Sequence, residues 1–170
     1  MINVKNNFRY FLYKHTPVIL LFTSILNEID FNNLEFKYFS FNFAYILIFY
    51  YNLKRDGGIG YIFIFIAGLF NDVINGFPMG LSSLCYLLLC LVAAYLRNIT
   101  LRPNLIKDWI FFLITVLTLN FITFSYLFLL FNYEINYLDQ TINVTFTFLM
   151  YLIFSHLFTV YDRIILGELR

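Results

Sequence analysis

Six apolar runs, Thr16 to Ile29, Tyr38 to Leu53, Gly58 to Ile74, Met79 to Leu96, Trp109 to Phe131 and Thr141 to Val160, occupy most of this chain and leave only short polar connections. Apolar residues are continuous within each run, where a half-buried strand would alternate, so each reads as a helix that is apolar on every side. Six such helices in 170 residues leave no room for a water-soluble domain. Lipid must cover the apolar surface that packing cannot, and in lipid only helices and closed barrels satisfy their own backbone. The expected fold is all-α: one polytopic membrane domain over residues 1–170 with six transmembrane helices. Composition agrees, since 12% of the residues are charged and 61% hydrophobic, against about a quarter charged in soluble domains.

The third and fourth runs are separate spans, because "KRDGGIG" precedes the third and "NGFPMG" divides it from the fourth, and clusters of glycine and proline mark turns. No small-residue cleavage site follows the first apolar run, so that run is expected to stay in the mature protein. Lys and Arg alternate along the connections: Lys5, Arg9 and Lys14; then Lys37; Lys54 and Arg55; none; Arg97, Arg102 and Lys107; none; Arg163 and Arg170. Basic residues favour the cytoplasmic side. Both termini are therefore expected in the cytoplasm and the turn around Gly76 outside, in agreement with an even number of spans.

Residues suited to catalysis are scarce. The two histidines, His15 and His156, are far apart in sequence, whereas an intramembrane metalloprotease needs a pair one helical turn apart. Transferases acting on lipid head groups hold a metal with several carboxylates. Here Asp72 is the one acid near the end of an apolar helix core, and no second carboxylate faces it. "RDGGIG", Arg55 to Gly60, lacks the strand, lysine and hydroxyl of a phosphate-binding loop and reads as a turn. Cys85 and Cys90 lie five apart on one helix, about 140° around it, so they cannot bridge each other and read as small apolar fillers. "RNITLRPNLIK", Arg97 to Lys107, is a basic connection that sets topology or attracts anionic head groups. His156, inside the sixth run, reads as a neutral imidazole bonded to a neighbouring helix with help from Ser155 or Thr159. The expectation is a protein with no catalytic residue, no metal, no cofactor and no affinity for nucleic acid.

One stretch concentrates polar and conformationally special residues: "AGLFNDVINGFPMGLSSLCY", Ala67 to Tyr86. Gly68, Asp72, Asn75 and Gly76 fall at i, i+4, i+7 and i+8 and are expected on one small, polar helix face. Glycine there lets a second helix approach closely. Asp72 is placed to accept hydrogen bonds from the turn or from the first turn of the next helix, around Gly80 to Ser82, where the helix dipole favours a carboxylate. Pro78 fixes its own φ and pushes Phe77 towards an extended conformation, so Gly76 to Gly80 should form a rigid turn. A pinned helical hairpin explains every one of these residues without any ligand, and a binding site or a partner contact is the alternative.

The same stretch resembles the rod shape-determining protein MreD family, in which a helix ending G-L-x-x-D is followed by x-x-x-G-x-P-x-G-L and a second apolar helix. Gly68, Leu69, Asp72, Gly76, Pro78, Gly80 and Leu81 match in order and spacing. "YYNLKRDGG", Tyr50 to Gly58, departs from the tryptophan and proline that the family often has before its third span. The resemblance implies a non-enzymatic component of the bacterial elongation complex in the inner membrane. Its partners would be an MreC-like protein, a RodA-like glycosyltransferase, a class B penicillin-binding protein and, indirectly, an MreB-like actin, in support of lateral peptidoglycan synthesis and cell shape. It also implies a six-helix fold resembling that of the substrate-binding subunits of energy-coupling factor transporters. A vitamin-type subunit of that kind is the alternative function. It is disfavoured because the first run, "PVILLFTSILN", has no pair of alanines four apart for docking on a transporter.

Overall fold

A computed structural model describes residues 4–27, 41–55, 58–99, 104–131 and 137–167, and among them the chain is entirely α-helical. The elements are α1 (Val4–Asn27), α2 (Phe43–Lys54), α3 (Tyr61–Asn75), α4 (Leu81–Ile99), α5 (Leu105–Phe131) and α6 (Tyr137–Gly167). Each of the six apolar runs is thus represented by a helix. Three of these, α4, α5 and α6, are long and apolar enough to cross a membrane, and α3 is a shorter apolar helix. The connection holding Asp30, Glu35 and Lys37 lies outside the described residues, as do Arg102 and Glu134.

The helix in the middle is α2. Every residue from Ala44 to Leu53 is buried, because α1, α4 and α6 all pack around it. Aromatic rings fill the space between helices: Tyr45 meets Tyr86 of α4, Phe49 meets Phe112 of α5 and Tyr151 of α6, and Tyr51 meets Phe158 of α6. Such edge and offset contacts use the opposed charges of ring face and ring edge. The outer helices keep an apolar face outward, with Ile62, Phe70, Leu91, Phe121, Leu129 and Ile153 all more than half exposed. Water would penalise that surface heavily, whereas a bilayer matches it. The protein has the surface of a membrane protein.

Polar side chains collect at the two ends of the bundle. At one end, α3 and α4 are joined by the turn through Gly76 to Gly80. The other end gathers the last turns of α2, α4 and α6, the first turn of α5 and the stretch of α1 around Tyr13, together with Lys54, Arg55, Arg97, Asp108 and Asp162.

Candidate functional site

The turn end is built around Asp72, whose side chain is fully buried. Its backbone carbonyl receives the N–H groups of both Gly76 and Phe77 and so closes α3. Gly76 takes the left-handed conformation, φ 66°, that ends a helix this way and that suits a residue without a Cβ. The carboxylate points across to α4: Oδ2 accepts from the Gly80 N–H and Oδ1 from the Ser82 N–H, both at 2.8 Å. These are the donors that the sequence led us to expect. A single residue therefore ends one helix with its main chain and caps the start of the next with its side chain. Leu81 donates to the Pro78 carbonyl at 3.2 Å, which holds the proline within the same turn.

Below the turn the two helices touch backbone to backbone. A Cβ added to Gly68 would lie 2.3 Å from the Cα of Ser83, so no other residue fits without moving the helices apart. Ser83 Oγ donates to the Phe65 carbonyl at 3.0 Å, and Asn71 Nδ2 donates to Ser82 Oγ at 3.0 Å. The buried face of α3 is Ile64, Ala67, Gly68, Asn71 and Asp72. This corrects the expected grouping. Asn75 is exposed and donates back to the Asn71 carbonyl at 3.1 Å, Gly76 has left the helix, and Leu69 is half-buried. Asn71, Ser83 and the hydroxyl of Ser82 are the members of the site that the spacing rule missed. Their signal was the run of small and amide side chains facing each other across the turn.

The opposite end uses the reverse chemistry. Pro17 lies inside α1 and has no N–H to give to the Tyr13 carbonyl one turn back. Arg55 Nη1 supplies the missing donor at 2.8 Å. Its Nη2 pairs with Asp162, and its guanidinium lies 3.6 Å from the ring centre of Tyr13 and 4.5 Å from that of Tyr51. Arg97 reaches from α4 to the carbonyls of Asn52 and Arg55 at the C-terminal end of α2, which has no intrahelical donors left. Lys54 pairs with Asp108 at 3.1 Å. Asp72 is thus not the sole acid near the end of an apolar helix, as the sequence suggested: Asp108 is also buried and Asp162 is largely so. "RDGGIG" turns as expected at Gly58 and Ile59, just ahead of α3, but its arginine is a structural fastener that ties α2 to two other helices, α1 and α6.

Two further expectations change. Cys85 and Cys90 are buried and unbridged, yet Cys85 Sγ also contacts Thr123 Oγ1 of α5 at 3.1 Å. His156 faces outward from α6, while Ser155 beside it is fully buried and Thr159 bonds to Tyr50. The described residues include no group of three or more His, Cys, Asp or Glu arranged to hold a metal. A groove beside the hairpin, lined by Phe65, Gly80, Leu84, Leu87, Leu88 and Leu91, offers only apolar contact. No family model matches the chain, and no curated protein or solved structure does either.

Proposed function

We propose that this chain is a six-span inner-membrane protein of the MreD type that serves as a non-catalytic assembly component of the rod-shape complex. The observation that carries the reading is the hairpin: Gly68, Leu69, Asp72, Gly76, Pro78, Gly80 and Leu81 follow the family spacing, and most of them have a definite mechanical part in one rigid α3–α4 turn. Rigidity of this sort suits a protein that presents fixed helix faces to partners. Six crossings are supported by the way α3 and α4 share both ends. Arg97, near the end of α4, meets Asn52 and Arg55 just before α3 begins, so the two helices traverse the same thickness. The basic end is cytoplasmic by the positive-inside rule, which puts the Asp72 turn outside and both termini inside.

Depletion of the protein in its own host tests the role. Rod-shaped cells should become round, and a tagged copy should co-purify with an MreC-like protein, a RodA-like glycosyltransferase and a class B penicillin-binding protein. Normal shape on depletion, or recovery of the tagged copy with transporter ATPases instead, would overturn the reading in favour of a transport subunit.

A further inference from the structure

We infer that the α3–α4 hairpin presents a lipid-facing surface too short for an ordinary bilayer, which thins the leaflet on the turn side and favours phospholipids with short acyl chains. The inference rests on α3 crossing the membrane and is independent of the cell-wall role. α3 has 15 residues, about 22 Å of helix. α4 is longer, but from Ser82, capped by Asp72 at the turn end, to Arg97, bonded to the end of α2 at the charged end, it covers the same length. The hydrocarbon of a typical bilayer is about 30 Å thick. Between its polar ends the hairpin therefore falls short by about 8 Å. Tilt cannot supply the difference, because inclining a short helix reduces the thickness that it crosses.

The shortfall belongs to the turn side. At the charged end, Tyr61 of α3 and Tyr95 of α4 are both more than half exposed, and tyrosine rings on a membrane protein settle at head-group level. Lys54 joins the end of α2 to Asp108 at the start of α5, so α5 enters at that level too. The other end is uneven. Cys85 of α4 meets Thr123 of α5 at 3.1 Å, which sets a common height. Further from the charged end, α4 has four more residues, about 6 Å, before the turn, whereas α5 has eight, about 12 Å. The last turn of α5 therefore stands level with the hairpin turn or beyond it. It carries Phe128, Leu129, Leu130 and Phe131, each more than half exposed, and these need hydrocarbon. The hairpin turn carries exposed Asn75 and Gly76, and these need head groups or water. A short apolar span is accommodated by a thinner bilayer, by long flanking side chains that reach the head groups, or by association. Asn75 to Gly80 include no long polar side chain, so the bilayer yields.

The test uses the full chain, with Cys85 and Cys90 replaced by alanine, in phosphatidylcholine vesicles of defined chain length. Met79→Cys at the turn and Leu129→Cys on α5 replace side chains that are 73% and 74% exposed and stand at similar height, so a flat bilayer protects them alike. In dioleoyl vesicles a water-soluble maleimide should react about tenfold faster with Met79→Cys, equivalent to about 1.4 kcal/mol of protection at position 129. In dimyristoleoyl vesicles, where the whole bilayer is thin, the two rates should converge. Equal rates in dioleoyl vesicles, or a ratio indifferent to chain length, would overturn the inference. Energy transfer between labelled copies that rises with chain length would do so too, since association would then relieve the mismatch. Sealed native membranes separate this inference from the six-span reading, because Tyr61→Cys and Met79→Cys should react from opposite faces whatever the bilayer thickness. Reaction of both from one face would remove the crossing of α3, and both readings would fall together.

Discussion

The two ends of the bundle solve the same problem with opposite charges. At the turn end, unpaired N–H groups open α4, and a buried carboxylate from α3 answers them. At the other end, carbonyls are left over where α2 stops and where Pro17 interrupts α1, and the guanidinium groups of Arg97 and Arg55 answer those. In an apolar surrounding each such group left unmade is expensive. The difference lies in reach. Asp72 joins helices that are neighbours in sequence, whereas Arg55 ties α2 to α1 and α6 at once. One end is a local clasp, and the other holds distant parts of the chain together.

If that distinction is right, Arg55→Met should be the most damaging substitution. It strands Asp162, whose side chain is 15% exposed, and frees the Tyr13 carbonyl, for a loss of about 3 kcal/mol or more. Unfolding in detergent and abundance in the membrane would measure it. Gly68→Val comes next, at roughly 1–3 kcal/mol, because its branch collides with the Ser83 backbone and must spread α3 from α4. Cysteine pairs across the hairpin should then cross-link less readily while contacts of α6 persist. Asp72→Leu leaves the N–H groups of Gly80 and Ser82 without an acceptor and should cost roughly 1.5–3 kcal/mol. Lys54→Met closes the series at about 1 kcal/mol, since Lys54 itself is partly solvated and Asp108, in the first turn of α5, keeps the favourable end of that helix's dipole when the lysine is gone. Equal losses for Arg55→Met and Lys54→Met would erase the contrast between a fastening arginine and a peripheral lysine.

The turn end was the more legible in sequence, for a physical reason. Its partners lie within about twenty residues, and helix period, a left-handed glycine and a proline act over that range, so the bonds from Asp72 to Gly80 and Ser82 follow from spacing alone. Six helices were legible from hydrophobic continuity. Asn71 was not singled out, because a rule that looks four residues ahead passes over the neighbouring position on the same face. The charged end was not legible at all. Arg55 and Asp162 are 107 residues apart, and nothing local says that a loop arginine will fold back on a carbonyl freed by Pro17. His156 was misjudged for a related reason: α6 has apolar residues all round, so sequence gave it no inner side.

The most direct measurement is the thermal stability and membrane abundance of Asp72→Asn, set beside Asp72→Leu and the unaltered chain. Asparagine keeps the shape and one acceptor oxygen but turns an N–H donor towards donors already there. A carboxylate that pins α3 to α4 requires Asp72→Asn to unfold at a lower temperature than the unaltered protein and at a higher one than Asp72→Leu, with any loss of cell shape following abundance. An Asp72→Asn protein that is as stable and abundant as the original, yet fails to support rod shape or to hold its partners, would contradict this and assign the carboxylate to an interaction site.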